Sequence, residues 1–423
     1  NQIDSIVQKV LVWKVQENDR ILILAILSYL ERYFDFQESV KKFLLSSKQV
    51  TDGVFVFSAL NNNNEKELCA SLIPNFSPLW DNHRRTTSAL AQNPLSFVQN
   101  YIWVPHREPW NICNLYSENW TQEKGDPFKI VCSPLTNSAT FTHKTVDKEQ
   151  YKEFEITGYL QERTDQVQDV IRRTINYAND IGASIVLFPE MLASPDNQLE
   201  TQQYIDDNDA LVDPAITILP SSEHRNEGGD WVNETKVVSS LGEVIMVYHK
   251  QHSFQLENPE EENAKKSGED EDMDPAPDPI SFEPIKADYA LYILHMEGVG
   301  RIAIIICADI FEPKLLNILL DDYRINLLLV LAYTPGYRRF FDRIALAQNA
   351  SCEVVWCNTC AAYKENTKTC PTVSYWAFGH KERRPHCEYS CGKNASNICA
   401  GCIYEIQIPT NHKEDGVIIS KFL

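Results

Sequence analysis

From about residue 127 the chain alternates short apolar runs with amphipathic segments, and this alternation constrains the fold more than any other feature. "FKIVCSPL" at 128–135 is typical of a strand, and residues 164–183 carry apolar positions at helical spacing. The apolar run 183–188 then predicts a second strand, which stops just before Glu190. Strand, helix and strand in this order predict a layered α/β domain.

The same alternation continues to about residue 357. Two predicted strands, 231–240 and 243–250, flank Leu241-Gly242, which favours a hairpin turn. The strand-forming stretch 289–307 follows an insertion. Behind it the sequence predicts a helix at about 313–322, then the strand "INLLLVLA", the helix "RRFFDRIALAQNAS" and the strand "EVVWC".

Residues 1–126 are predicted to be an accessory or linker region, mainly helical and then irregular, ahead of the domain at 127–423. Apolar residues recur at helical spacing over 3–15 and 21–45, whereas 70–126 shows little periodicity. The chain begins with Asn rather than Met. We therefore expect a processed chain or the C-terminal part of a longer polypeptide.

The charge balance and the cysteine content limit the classes of function. A formal net charge of −20 excludes a broad phosphate-binding surface, so nucleic acid could meet only a local patch or an upstream domain. The acidic stretch 257–279 carries four prolines and is predicted to be a mobile insertion. No apolar run reaches the length that spans a bilayer. Twelve cysteines without a secretory signal favour a soluble, cytoplasmic protein.

Three reactive residues each follow a predicted buried strand: Glu190, Lys250 and Cys307. In layered α/β domains ligands bind where strands end, because the side chains there converge. A thiol is mostly protonated at neutral pH, so a nucleophilic cysteine needs a base or a nearby cation. Glu190 could be that base, and Lys250 with the Ala308 N–H could stabilise an oxyanion. The simpler interpretation is that Cys307 is a small buried hydrophobic side chain.

The segments "LFPEM", "VYHKQHSF" and "GRIAIIICADIFEP", in this order, resemble the three signature segments of the nitrilase (carbon–nitrogen hydrolase) superfamily. The resemblance covers roughly 127–423. "LPSSEH", Asn233 and Gly242 also match. The resemblance implies an α/β fold of the αββα sandwich type, a Glu-Lys-Cys triad, a thioester intermediate and oligomerisation through the sandwich faces. It further implies a second, substrate-orienting glutamate after the lysine, for which Glu257 is the candidate.

Two functions follow from this resemblance. The first is hydrolysis of a small-molecule amide or a related C–N bond. Asp309, where other members have Glu, resembles the amidase and carbamoylase branches, and Ala308 replaces a frequent aromatic residue. The second is an oligomerising assembly module of a larger fusion protein, such as a reverse transcriptase of a bacterial antiphage system. An acyl adduct on the cysteine would distinguish the two.

The C-terminal region contains a spacing of a different kind, C-x3-C-x7-C-x2-C. Four thiolates could enclose a structural zinc ion. Free thiols in a reducing compartment are the alternative, because the central loop is shorter than in common zinc ribbons. No other cofactor is expected. The residues concerned are Cys387, Cys391, Cys399 and Cys402.

Overall fold

A computed structural model describes the chain in thirteen ranges. They are 48–51, 54–57, 70–74, 101–105, 107–121, 126–148, 151–208, 210–256, 281–335, 337–362, 373–376, 401–408 and 418–422. The helices predicted at 3–15 and 21–45 lie outside these ranges. None of the helices within them is long and apolar enough to cross a membrane.

Within these ranges the chain forms twenty-two strands. They are β1 (Lys48–Thr51), β2 (Val54–Phe57), β3 (Ala70–Pro74), β4 (Tyr101–Pro105), β5 (Asn111–Thr121), β6 (Phe128–Cys132), β7 (Phe141–Asp147), β8 (Lys152–Tyr159), β9 (Ile185–Leu187), β10 (Ile216–Ile218), β11 (Ser222–Arg225), β12 (Trp231–Ser239), β13 (Val244–His249), β14 (Gln255–Leu256), β15 (Ser281–Phe282), β16 (Ala290–Glu297), β17 (Gly300–Ile306), β18 (Leu327–Leu331), β19 (Glu353–Cys357), β20 (Val373–Trp376), β21 (Ile403–Ile408) and β22 (Ile418–Phe422).

The same ranges contain four α-helices and several shorter turns of helix. The α-helices are α1 (Gln161–Asp180), α2 (Pro195–Asp206), α3 (Pro313–Asn317) and α4 (Phe341–Asn349). One π-helical turn extends α3, and 3-10 turns follow β17, precede α4 and follow β19. These turns are Ile318–Asp322, Cys307–Phe311, Tyr337–Phe340 and Cys360–Ala362.

The first large sheet has the order β1-β2-β5-β16-β17-β18-β19-β20. Its centre is parallel: Ile306 of β17 lies opposite Leu331 of β18, which lies opposite Cys357 of β19. Central parallel strands are buried on both faces, and this explains the continuous apolar runs that predicted β17 and β18. Because these strands run in one direction, the residues after them, including Cys307, meet at one edge of the sheet.

The second large sheet has the order β11-β12-β10-β9-β6-β21-β22. The strand β13 also pairs with β12 but lies outside this order. The predicted hairpin is present, since β12 and β13 pair antiparallel. Its turn requires Gly242, which has φ +74°; a Cβ there would lie 2.5 Å from the Cβ of Asp206. The strands β6, β9 and β10 run parallel, so Glu190 also follows a carboxyl end.

The second sheet is covered on both faces, as the alternation along β9 shows. Ile185 and Leu187 belong to the large core that also contains the strands of the first sheet. Val186, between them, belongs to a separate core with Ile171 and Ile175 of α1. Successive strand residues point to opposite faces. One face of this sheet therefore packs in the large core and the other packs against α1.

Between the predicted strand at 128–135 and the predicted helix at 164–183 the sequence shows no regular pattern, yet this stretch forms the hairpin β7–β8. The hairpin joins β14 and β15 in a four-stranded sheet of order β14-β15-β8-β7. Its inner face buries Phe141 and Ile156 against Met191, which gives the hairpin an apolar contact with the chain next to Glu190. Turn residues and sparse apolar alternation hid both strands from the sequence pattern.

The first third of the chain also differs from the prediction where it is described. Residues 70–126 were predicted to be irregular, but β3 pairs with β4, and β5 pairs with both β2 and β16. Strands from both sides of the predicted boundary between 126 and 127 therefore share one sheet. The apolar residues Leu115, Tyr116 and Trp120 of β5 lie in the large core. The division into an accessory region and a second domain stays a prediction.

Candidate active site

The structure brings Glu190, Lys250 and Cys307 together, as the sequence predicts. Glu190 lies three residues beyond β9, whereas Lys250 and Cys307 directly follow β13 and β17. The site therefore lies where strand ends of the two large sheets meet. All three side chains are buried, each at 1% exposure. Two buried charges and a buried thiol at one place require compensating contacts, because an unpaired buried charge is strongly destabilising.

A close ion pair joins the predicted base to the predicted cation. Lys250 Nζ lies 2.7 Å from Glu190 Oε1. The other carboxylate oxygen, Oε2, accepts a hydrogen bond of 2.9 Å from the backbone N–H of Tyr333, just beyond β18. Burial raises the pKa of Glu190, and the positive charge of Lys250 lowers it. Fixed donors on both oxygens hold this carboxylate in one orientation.

A second glutamate shares the lysine. Lys250 Nζ lies 2.6 Å from Glu283 Oε2. The same oxygen accepts a hydrogen bond of 3.0 Å from the backbone N–H of Phe254. The charge of Lys250 offsets the effect of burial, and the pKa of Glu283 is lowered. Burial lowers the pKa of Lys250, but the charges of Glu190 and Glu283 raise it well above its usual value. The lysine is therefore a cation held between two carboxylates.

Asn233 joins the two glutamates from the neighbouring strand β12. Its Nδ2 donates to Glu190 Oε1 at 3.0 Å and to Glu283 Oε1 at 2.9 Å. These two bonds use both N–H groups of the amide. Asn233 is fully buried, so its side chain fixes the separation of the carboxylates on either side of Lys250.

Cys307 is presented in a backbone conformation that few residues adopt. Its φ is +45°, in the left-handed region, which costs a non-glycine residue on the order of 1–2 kcal/mol. The thiol interacts with the carboxyl of Glu190 and with the N–H of Tyr333. Burial and the charge of Glu190 raise the pKa of the thiol well above its usual value, whereas Lys250 lowers it. The thiol is thus protonated and lies against the carboxyl of Glu190.

Asp309 ties the cysteine turn to the lysine loop. Its Oδ1 accepts hydrogen bonds from the N–H groups of Gln251 at 2.7 Å and His252 at 2.8 Å. Its Oδ2 accepts from the Tyr248 hydroxyl at 2.7 Å and from the Ile306 N–H at 3.0 Å. Burial raises the pKa of Asp309 to about 7, against the lowering by these donors. The two turns therefore cannot move independently.

The remaining predicted site residues have different outcomes. Ala308 is buried in the 3-10 turn after Cys307, where an N–H donor for an oxyanion was expected. Glu257 lies outside the described residues, and the second glutamate that contacts Lys250, besides Glu190, is Glu283. Glu283 lies 33 positions beyond Lys250, on the far side of the acidic insertion, so no local pattern connects it with the lysine. "SFEP", directly after the insertion, was the available signal.

The zinc prediction falls largely outside the described residues. Of its four cysteines only Cys402 is described, and it is buried at 4% exposure. In the described ranges no group of three or more His, Cys, Asp or Glu side chains is arranged to hold a metal ion. Zinc bound by Cys387, Cys391, Cys399 and Cys402 stays a prediction.

No family model matches the sequence. A comparison with curated protein sequences also finds no match. Solved structures do show similarity. A glutamine-dependent NAD+ synthetase from Acinetobacter baumannii is 14% identical over 66% of this chain, with a TM-score of 0.40. This chain spans 45% of the length of that synthetase.

Other similar structures are amidases. An amidase from Nesterenkonia sp. is 12% identical over 69% of this chain and 94% of its own, with a TM-score of 0.38. A mutant of the Nesterenkonia AN1 amidase, from the nitrilase superfamily, is 14% identical over 56% of this chain and 78% of its own, with a TM-score of 0.36. Similarity this weak adds nothing to the geometry of Glu190, Lys250 and Cys307.

Proposed function

We propose that this chain hydrolyses a non-peptide carbon–nitrogen bond, of an amide or a related small molecule, through a thioester on Cys307. The observation that carries the proposal is the buried Lys250–Glu190 pair at 2.7 Å, with Glu190 in turn interacting with the Cys307 thiol. A carboxylate that contacts both a cation and a thiol at strand ends forms the arrangement that nucleophilic catalysis requires.

In the first half-reaction, Glu190 accepts the proton of the Cys307 thiol as the sulfur attacks the acyl carbon. A C–S bond forms, and the carbonyl electron pair moves onto oxygen. Lys250 Nζ and the Ala308 N–H stabilise this oxyanion. The carbonyl then re-forms, the C–N bond breaks, and Glu190 returns the proton to the departing nitrogen. Ammonia or an amine leaves, and the acyl group remains on sulfur.

In the second half-reaction, Glu190 accepts a proton from water, and the oxygen of that water attacks the thioester carbon. The same two donors stabilise the second oxyanion. The C–S bond breaks, and the proton held by Glu190 returns to the Cys307 sulfur. A carboxylic acid is released and the resting thiol is restored. One carboxyl serves as base and acid in turn, so it needs the pKa balance that burial and Lys250 give Glu190.

The roles of the other groups follow from their contacts. Glu283, rather than Glu257, is the proposed second glutamate, because it shares Lys250 with Glu190. Met191, next to Glu190, has a left-handed φ of +63°. A strained backbone therefore occurs both beside the proposed base and at the proposed nucleophile itself. The αββα sandwich and a homo-oligomer formed through its faces belong to the same proposal.

The test is acyl capture followed by mass spectrometry. The chain is incubated with a panel of small primary amides, and the peptide containing Cys307 is expected to gain the acyl mass. Cys307→Ala is expected to abolish both adduct and turnover and to keep the fold. Cys352→Ala, another buried cysteine, is the matched control and should retain both. Full turnover by Cys307→Ala would overturn the mechanism, and absence of any adduct in the unaltered chain would favour the assembly module.

A further inference from the structure

Glu223 is a third buried glutamate at this site, and no step above uses it. It lies on β11, directly opposite Asn233 of β12 in the antiparallel register. Residues opposite each other in such a pair place their side chains on the same face, with Cβ atoms about 5 Å apart. Glu223 is 1% exposed. Its carboxyl therefore lies beside the amide that joins Glu190 and Glu283.

The hydrogen bonding around this pair is incomplete. Among the described residues neither carboxyl oxygen of Glu223 has a hydrogen-bond partner of good geometry, and neither does Asn233 Oδ1. The orientation of the Asn233 amide is fixed, because Nδ2 donates to both other glutamates. Its oxygen is thus an acceptor that needs a donor. Buried acceptors without a donor are costly, and one proton on a Glu223 oxygen satisfies two of these three atoms, that oxygen and Asn233 Oδ1.

The charge balance supports the same conclusion. Lys250 is the cation between Glu190 and Glu283, so the ionised pair and the lysine already sum to one negative charge. A third carboxylate would add a buried negative charge with no cation of its own. Burial, followed by the negative charge of Glu283, raises the pKa of Glu223 well above its usual value.

We propose that Glu223 is a positioning residue of this site, present as the neutral acid, whose O–H donates to Asn233 Oδ1. Through Asn233 it holds Glu190 and Glu283 at their distances from Lys250. The inference rests on the proposed function only in calling this cluster an active site. Among the described residues Glu223 has no hydrogen bond to Cys307 or Glu190. Its carboxyl lies within hydrogen-bonding reach of Glu283, but both oxygens of Glu283 already have donors, whereas Asn233 Oδ1 has none. Glu223 therefore acts through Asn233.

Infrared spectroscopy tests whether the carboxyl group of Glu223 is protonated. At neutral pH the difference spectrum between the unaltered chain and Glu223→Gln should contain the carbonyl stretch of a protonated carboxylic acid, shifted in D2O. Glu353→Gln is the matched control: Glu353 is also buried, and it lies opposite Leu327 at the far end of the parallel strands from Cys307. Its spectrum should retain the Glu223 band. A carboxylate band in place of the acid band would overturn the proposal.

Alkylation of Cys307 by iodoacetamide tests the positioning role without any substrate. Glu223→Gln offers an N–H donor to Asn233 and should leave the alkylation rate unchanged. Glu223→Ala leaves Asn233 without that donor and should change the rate about tenfold, as expected for one lost buried hydrogen bond. Equal rates in all three proteins, or a Gln variant that behaves like the Ala variant, would overturn the proposal.

The two measurements also separate this inference from the proposed function. If Glu223→Ala does not fold, the infrared band and the Gln variant decide the matter. If the unaltered chain forms no thioester with any amide but shows the acid band and rescue by Gln, the hydrolase proposal fails and the assignment of Glu223 stands. If thioester forms but the acid band is absent, the hydrolase proposal stands and the assignment of Glu223 fails.

Discussion

Asp309 accepts a 2.7 Å hydrogen bond from the backbone N–H of Gln251. Gln251 follows Lys250, and Asp309 lies two residues beyond Cys307, so this bond joins the turn that carries Cys307 to the loop that carries Lys250. A second backbone bond, from His252 to the same oxygen at 2.8 Å, reinforces the connection. The relative position of thiol and ammonium thus depends on a side chain that need not touch substrate.

Asp309→Asn should therefore destabilise the fold and slow thioester formation. One carboxylate oxygen becomes an NH2 group facing two donors, and buried donors left unsatisfied cost about 1–3 kcal/mol each. We expect urea unfolding to show a loss of about 3 kcal/mol. Tyr248→Phe is the graded control, since it removes one of four donors and should cost about 1 kcal/mol. Equal losses in the two variants would contradict a clamp at Asp309.

Glu190 and Glu283 should differ in their effect on the first chemical step, although both contact Lys250. Only Glu190 interacts with the thiol. Glu190→Gln removes the base and should slow acyl-adduct formation by about 10²–10⁴-fold, the usual contribution of a general base. Glu283→Gln keeps that base and should slow the step less. Rates measured by quenched mass spectrometry check this order, and a larger loss in Glu283→Gln would reverse the assignment of roles.

Lys250→Met should be destabilising at pH 8 and less so at pH 5. It leaves two buried carboxylates without their cation, and breaking a buried pair in this way costs about 3–5 kcal/mol. Without the lysine, the folded-state pKa of Glu190 rises further above its unfolded value. The folded state then holds the proton more tightly, so stability falls as pH rises through that interval.

Urea unfolding at the two pH values checks this prediction. The control is Lys236→Met on the adjacent strand, whose ammonium lies 3.9 Å from Glu234 and is partly exposed. Such pairs contribute about 0–1 kcal/mol, so this variant should be close to the unaltered chain at both pH values. A Lys250→Met variant as unstable at pH 5 as at pH 8 would contradict the buried charge pairing.

Loss of the His249 proton above neutral pH should lower the free energy of unfolding. Its ring nitrogens lie 2.7 Å from Asp288 and 3.2 Å from Glu234, and these hydrogen bonds raise its pKa to about 9. A folded pKa above the unfolded value of about 6.5 gives stability that is fully present below pH 6.5 and is lost as pH rises to about 9. We expect a loss on the order of 3 kcal/mol over this interval.

His249→Gln should remove this dependence in urea unfolding curves at pH 6 and pH 9.5. His252→Gln is the control, because burial lowers the pKa of His252 and its contribution therefore has the opposite sign. The variant at 252 should still lose stability on the alkaline side. Retention of the full loss by His249→Gln would mean that another group titrates there.

The strand ends that carry Glu190, Lys250 and Cys307 could be predicted because each follows an apolar run that burial in a sheet requires. The elements from β16 to β19 were predictable for the same reason. The position of Glu283 could not be predicted. The 24 residues from 257 to 280 precede its strand, and no local pattern shows that the chain returns to Lys250 after them. Asp309 was visible beside the nucleophile, but its four donors come from the ends of β13 and β17 and the loop after β13, which only the fold brings together.

The β7–β8 hairpin shows a different limit. Its exposed strand residues include His143, Lys144 and Thr142, which give no apolar alternation. What holds it is one apolar face against Met191 and pairing with β15, a contact between distant segments. Local propensity therefore contributes little to it, and tertiary contacts decide its structure.

The pairing of β14 with β15 has a consequence for how such a protein can diversify. Leu256 lies opposite Ser281, so the residues that flank the acidic segment are neighbours, and Glu283 lies two residues beyond Ser281. Closing a loop whose ends already meet depends only weakly on its length. The segment can thus lengthen, shorten or be replaced without displacing Glu283. New sequence can therefore be added at the base of this hairpin, beside the fixed cluster of Glu190, Lys250 and Cys307.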